Sequence, residues 1–435
     1  MAKTVVVLGG AYGGARAAQL IAAGLPQGWR IVLLDRNSHV NHVYIFPRLA
    51  TLPGHEHKAF IPFDNIFQLP SDSKVDASFM QARVLSLDAH SVTFSRAGTD
   101  TEETLPFDYA VYALGSHLPA PLNPWDPTAE EKILRPYRGT KAEGIAWLKH
   151  KQQLIEDSES VLVVGGGALG IQFATDIAAI YPGKPVTLLH SRHRLLPRFD
   201  PALHTEIIEA LDRASVSVIL GERLDLSSLA SSSNSTVRTQ TGREISAGLV
   251  LLCTGQTPNT SLLSAMDAQC VDEKTGLARV LRTMQLAVGA KEEEDLSGSL
   301  EKLVLHGGDV FEDEDDMDTT PYPHIFVVGD AADAFGAIPA GHNAYHQATV
   351  AAGNVLRLIN TSSSSSSSDS ELEPLECYTP SPPAIKVTLG LTKNVYEVGG
   401  VVGVGVETRE DLNAASIWPY FGFPDVGEEG VGMFA

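Results

Sequence analysis

Cysteine is almost missing from this chain: Cys253, Cys270 and Cys377 are the only three in 435 residues, and they lie far apart. With no C-x-x-C pair, a zinc ribbon and a thioredoxin-like dithiol are excluded, and so sparse a set fits a reducing compartment. Positive charge is also scarce. The 32 Lys and Arg face 53 Asp and Glu, and the resulting formal charge of −21 argues against nucleic acid or an anionic membrane as main partner. Long hydrophobic runs are lacking too, since none approaches the ~18 residues of a membrane helix. The most apolar late stretch, Val387 to Val406, contains Lys393 and Glu397 and reads as a hairpin. A first strand beginning by about Thr4 leaves no room for a leader peptide, and Ala2 rules out N-myristoylation. The expected location is cytoplasmic.

What is present is a globular composition. Hydrophobic residues make up 43% of the chain, enough for a full core, and the length suggests two or three domains. The negative charge is concentrated: Glu292 to Asp318 holds 12 acidic residues and one basic residue, Lys302. That segment and "TSSSSSSSDSELEPLE" from Thr361 lack periodicity and have little to bury, so both read as solvated loops.

The chemistry begins at "VVVLGGAYGG", Val5 to Gly14. Read as G-x-G-x-x-G, it supplies Gly9 and Gly14, with Ala11 in place of the second glycine and Gly10 and Gly13 keeping the neighbouring backbone open. A helical stretch follows, stopped by Pro26 and Gly28, and then a strand ending at Asp35, 21 residues after Gly14. A carboxylate there can accept both hydroxyls of an adenosine ribose. A second strand–glycine–helix–strand unit opens at Val161 with Gly165, Gly167 and Gly170 intact. Its second strand ends in His190, Ser191, Arg192 and Arg194 instead of an acid. Loss of the carboxylate and gain of Arg favour a 2′-phosphate, hence NADPH over NADH; a basic surface turn tolerating either is the alternative. Near the far end "IFVVGDAAD" puts Asp330 at a carboxyl end of the sheet, ahead of a helix whose N-terminus can face an anion.

This order of motifs resembles the two-dinucleotide-binding-domain flavoprotein superfamily of pyridine nucleotide oxidoreductases. "VYALGS", Val111 to Ser116, and "LLCTGQTPN", Leu251 to Asn259, resemble its two interdomain connections. "YPGKPVTLLHS", "VVGDAAD" and "TLGLTKN" carry a further likeness to the AIF-like branch, over most of residues 3–405. The resemblance implies an α/β fold of two Rossmann-like domains, the second inserted into the first, plus a small C-terminal α+β domain. Residues 1–120 and 285–360 would bind FAD, with an acidic insertion at 291–320, and residues 121–284 would bind NAD(P)H. A Ser-rich linker at 361–375 would lead to the C-terminal domain at 376–435.

By the same resemblance Gly9, Gly10, Ala11, Gly13, Gly14, Asp35, Arg36, Gly115 and Asp330 would line FAD. His346 and Gln347 would turn backbone N–H groups toward the flavin. Arg48 lies where disulfide reductases of the superfamily carry redox cysteines; its guanidinium would approach the flavin or its phosphates, or else snorkel at a helix end. No cysteine lies near it, so disulfide reduction is not expected. Gly165, Gly167, Gly170, Arg192 and Gly255 would hold NAD(P)H, and Gln172 replaces a glutamate common in relatives. Lys393 aligns with a basic residue of quinone-reducing relatives, where it would stabilise developing negative charge; a solvated hairpin lysine is the alternative. The tail "SIWPYFGF" would line an apolar channel, touch a membrane or pack on the core. The expected activity is hydride transfer from nicotinamide to flavin and then to a quinone-like or other small organic acceptor. Two other readings stay open: a tailoring flavoenzyme for one metabolite, and an AIF-like nucleotide-binding scaffold.

Overall fold

The computed structural model describes residues 2–70, 72–99, 101–125, 137–230, 236–289, 320–363, 374–427 and 433. The acidic segment Glu292–Asp318 lies outside them, as does most of the Ser-rich stretch. Helix Gly341–Ser363 runs three residues into that stretch.

Apolar runs without polar alternation become strands buried on both faces, as a parallel sheet covered by helices requires. Val5, Val6, Val7 and Leu8 are wholly buried in strand Lys3–Leu8, and each such side chain contributes ~1.5–3 kcal/mol of burial. This strand lies between Trp29–Asp35 and Tyr109–Tyr112, parallel to both, and Tyr322–Val327 and Asp76–Asp88 extend the parallel set outward. Antiparallel strands Gln285–Leu286, Ser91–Arg96 and Glu102–Pro106 complete eight strands. Chain from both ends of the described protein builds this one sheet.

Between its two halves the chain makes a second, four-stranded parallel sheet in the order Ser217–Leu220, Val186–His190, Val161–Val164, Leu249–Leu252. The inserted domain expected from the sequence is therefore present. A helix at Lys141–Asp157 leads into it, opened by a Thr140/Glu143 capping box that satisfies two orphan N–H groups. The chain crosses between the sheets twice, and the crossings pair with each other as antiparallel Ser116–His117 and Thr257–Pro258.

The late apolar stretch forms two hairpins, Ile385–Leu389, Lys393–Val398 and Val401–Val406, rather than one. The tail after it packs inward: Trp418 and Phe421 are buried in the core of the first sheet, and Trp418 Nε1 donates to the Lys58 carbonyl at 3.1 Å. Of the three readings of "SIWPYFGF", core packing is the one realised. Among the described residues no helix is long and apolar enough to cross a membrane.

Candidate functional site

The first strand pairs on opposite sides with the strand that follows it and with a later one, which makes its carboxyl end a topological switch point. A cleft of about 540 Å³ opens there, within the range of small-ligand sites. It is lined by the glycine turn, by Asp35 and Arg36, by Gly115 and Ser116, by Gln256 and Asn259, and by Asp330 and Gly341.

The glycine turn is shaped by backbone contact. Gly9 has φ +93°, and a Cβ on it would meet the Ala113 carbonyl oxygen at 2.4 Å. A Cβ on Gly14 would sit 1.8 Å from the Gly9 carbonyl oxygen, so helix Gly13–Gly24 starts close only because no side chain intervenes. The second unit repeats these contacts. Gly165, at φ +125°, would meet the Cys253 carbonyl oxygen at 2.5 Å, and Gly170 the Gly165 carbonyl oxygen at 1.8 Å. At the middle position Ala11 is exposed and Gly167 has open space beside it. The methyl of Ala11 thus faces the cleft without clashing with the protein. Gly10 is not an opening: it admits the Phe63 ring, which a Cβ would meet at 2.4 Å.

Asp35 holds the turn from the neighbouring strand. Its Oδ2 accepts from the Gly10 N–H at 2.8 Å, and its Oδ1 accepts from the Asn37 backbone and side-chain N–H groups at 2.7 and 3.0 Å. Burial pushes this carboxyl up, opposed by those N–H bonds and by Arg36. Arg36 stacks on Trp125 at 4.9 Å, whose Nε1 donates to Asn37 at 2.9 Å. In the second unit the equivalent acceptor is an imidazole: the Gly166 N–H donates to Nδ1 of His190 at 3.0 Å. At the other end of the cleft Ser116 Oγ donates to Asp330 at 3.0 Å, and burial pushes the Asp330 carboxyl up as well.

Gly9, Gly10, Ala11, Gly13, Gly14, Asp35, Arg36, Gly115 and Asp330 all line the cleft. Gly165, Gly167 and Gly170 form the corresponding turn of the second sheet, Arg192 is exposed just past its second strand, and Gly255 precedes the crossing at Thr257–Pro258.

Of the residues predicted for the flavin and the acceptor, four do not line the cleft. Arg48 is fully buried; its guanidinium forks onto Asp176 with two 2.9 Å bonds and also donates to the carbonyls of Gly390 (2.7 Å) and Glu410 (2.6 Å). A buried cation needs an opposite charge and filled donors, and Asp176 of the inserted domain supplies the charge. His346 and Gln347 lie past the first turn of their helix, where backbone N–H groups bond within the helix. His346 is exposed, while buried Gln347 uses its side-chain oxygen to accept from the Gly329 N–H at 2.7 Å. The helix meets the cleft at Pro339, Ala340, Gly341 and Ala344 instead. Lys393 is exposed at the start of a hairpin strand. Gln172 likewise turns to the C-terminal sheet, donating to Thr388 at 3.2 Å.

The structure adds residues that the motifs passed over. Pro339 was the legible sign that the helix begins near Gly341. Tyr12 and Tyr44 line the cleft with ring centroids 5.5 Å apart, and the Tyr44 hydroxyl accepts from the Gly341 N–H. Tyr12, inside the glycine turn, is held at φ 31°, ψ −87° and shares a 3.0 Å hydrogen bond with Nδ1 of His42.

Bare backbone at the turn, a carboxylate beyond it and a helix start at the far end suit an extended dinucleotide. Comparison with known proteins agrees. Residues 3–286 match the model of the family described as pyridine nucleotide-disulphide oxidoreductase. Fe-regulated protein 8 of Mycosarcoma maydis is 40% identical over 422 residues, covering 96% of this chain and 94% of that protein. Ferroptosis suppressor protein 1 of Taeniopygia guttata is 28% identical over 432 residues, covering 96% and 95%. In fold, the chain is similar to NDH2 from Plasmodium falciparum, solved in complex with NADH, at TM-score 0.67 and 10% identity, covering 100% of this chain and 97% of that one. Two glycine turns of one design, joined by paired crossings and matched by these relatives, place the chain in the pyridine nucleotide-disulphide oxidoreductase family, in its AIF-like branch.

Proposed function

We propose that the protein is an FAD-dependent NAD(P)H oxidoreductase that passes reducing equivalents from nicotinamide to a quinone-like or other small organic acceptor. The observation that carries this reading is the repetition of one dinucleotide turn in two sheets whose crossings meet at the cleft. FAD, when bound, supplies the chemistry of accepting a hydride and handing on its electrons. The protein's own groups bind and orient. Asp35 keeps lone pairs for ribose hydroxyls, the exposed face of the turn at Ala11 receives a pyrophosphate, and the start of helix Gly341–Ser363 presents a positive dipole end.

A disulfide substrate fits poorly. None of Cys253, Cys270 and Cys377 lines the cleft, and burial pushes the Cys270 thiol up to about 12 and the Cys253 thiol higher. Thiolates are the reactive form. Where disulfide reductases of the superfamily carry redox cysteines, this chain has Arg48, tied to Asp176.

NADPH is the preferred donor in this reading. His190 stands where Asp35 stands in the first unit, so no carboxylate opposes a 2′-phosphate, and Arg192 is exposed two residues on. Comparing kcat/KM for NADPH and NADH with a panel of quinones tests both assignments. A clear NADH preference overturns the first, and failure of every quinone to be reduced overturns the second.

A further inference from the structure

Two-electron reduction of a quinone consumes a proton beyond the hydride: NAD(P)H + H⁺ + quinone gives NAD(P)⁺ + hydroquinone. A group in the cleft that releases a proton to the acceptor oxygen, and recovers it, would serve that need. Most titratable side chains there are committed. Asp35 and Asp330 accept from their neighbours, and Tyr112 donates its hydroxyl hydrogen to the Asn259 carbonyl at 2.5 Å. His39 is bracketed by Ser38 Oγ at 3.2 Å and Asn41 Oδ1 at 3.0 Å. The Tyr44 hydroxyl accepts from the Gly341 N–H, which leaves its own proton free, but among the described residues no ionisable group shares a hydrogen bond with it to return that proton.

Tyr12 differs in two independent ways. Its phenol oxygen lies 3.0 Å from Nδ1 of His42, which sits behind it at 9% exposure. Burial pushes that imidazole down to about 4, so it is neutral near pH 7. In its Nδ1–H tautomer it donates to the phenol oxygen and leaves the phenol O–H free for the cleft. Second, the Tyr12 backbone at φ 31°, ψ −87° lies in a sparsely populated region. The glycine turn does not impose this. Its equivalent in the second unit, Ala168, is the first residue of helix Ala168–Ile180 and is not among the residues with positive φ. Tyr12 thus adopts a backbone conformation that its counterpart in the second unit does not share.

We propose that Tyr12 is the proton donor to the acceptor, with His42 as its proton source. This rests on the oxidoreductase reading above. The Tyr12 O–H bond breaks as the acceptor O–H bond forms. The phenolate then takes the Nδ1 proton of His42 as His42 takes one from solvent at Nε2, and proton exchange with solvent returns the ring to its Nδ1–H tautomer. Both electrons come from NAD(P)H, so no further reductant is needed. Burial above all, with Tyr44 and Asp330 close by, keeps the Tyr12 phenol protonated until the acceptor oxygen becomes basic.

The test uses FAD-loaded wild type, Tyr12→Phe, Tyr44→Phe and His42→Ala, reduced by NADPH without oxygen and mixed with menadione or with ferricyanide, which takes up no proton. Tyr12→Phe is expected to slow reoxidation by menadione about 100-fold and abolish its solvent deuterium isotope effect, with ferricyanide as fast as in wild type and FAD content equal. His42→Ala is expected to be slow with menadione and restored by added imidazole. In cofactor-free protein, nitrogen NMR should show the His42 Nδ1 signal move in Tyr12→Phe. The proposal is overturned if Tyr12→Phe keeps the menadione rate and isotope effect, or if Tyr44→Phe alone loses them. Failure of the wild type to be reduced by either nucleotide overturns the oxidoreductase reading as well, which separates the two failures.

Discussion

At the scale of the residue, a single methyl has opposite meaning at two places in one turn. Ala11 faces the cleft from an exposed position, whereas a methyl on Gly14 would lie 1.8 Å from the Gly9 carbonyl oxygen. Ala11→Gly should therefore leave FAD affinity nearly unchanged, while Gly14→Ala should yield protein without bound FAD. Visible absorbance per chain after purification reads both, and equal FAD content in the two variants would contradict the geometry. His42 carries a second residue-scale expectation. Its folded-state value of about 4 lies below the ordinary 6.5. Between those pH values the unfolded chain binds the proton and the folded chain does not, so His42 takes stability away as pH falls through that window. Full titration corresponds to about 3 kcal/mol. The carboxyls of Asp35, Asp176 and Asp330 are pushed up by burial and act in the opposite sense. The difference between wild type and His42→Gln isolates the ring: denaturant unfolding of the variant should lose less stability from pH 6.5 to 4. An identical loss in both proteins would contradict the assignment.

At the scale of the element, Arg48 is a joint between units. It sits on helix Phe46–Leu49, its partner Asp176 on helix Ala168–Ile180 of the inserted domain, and its remaining donors reach Gly390 and Glu410 of the C-terminal part. Removing the guanidinium leaves a buried carboxylate unpaired. Arg48→Ala should destabilise the protein by about 3–5 kcal/mol, measured by urea unfolding, and the folded fraction should retain FAD. Loss of FAD with stability intact would return Arg48 to the flavin site. The motifs could not have separated these outcomes. Asp176 lies 128 positions away in sequence, and nothing local marks it as a partner. The glycine turns were legible because the contacts that require Gly9, Gly14, Gly165 and Gly170 fall within one βαβ unit and its neighbouring strand. His346 and Gln347 came from the resemblance and not from the helix pattern; the structure places them past the first turn, and the chain meets the cleft at Pro339, Ala340, Gly341 and Ala344.

At the scale of the whole molecule, the inserted domain and the shared sheet were legible as two strand–glycine–helix units and a distant Gly-Asp strand. The pairing of the two crossings was not, since it joins Ser116–His117 to Thr257–Pro258 across a long stretch of chain; Gly115 and Gly255, at φ 62° and 71°, stand just before them. That pairing brings Gln256 and Asn259 of the second connection into the lining of the cleft. The central claim is that the two turns work as one relay, the first holding FAD and the second a nicotinamide. Anaerobic titration of the purified protein with NADPH, following the visible flavin band, tests it most directly. The account predicts a yellow protein bleached by one equivalent of NADPH, with Gly170→Ala still yellow but bleached only at higher concentrations. A protein that stays colourless after incubation with FAD, or a yellow one that neither NADPH nor NADH can bleach, would contradict it.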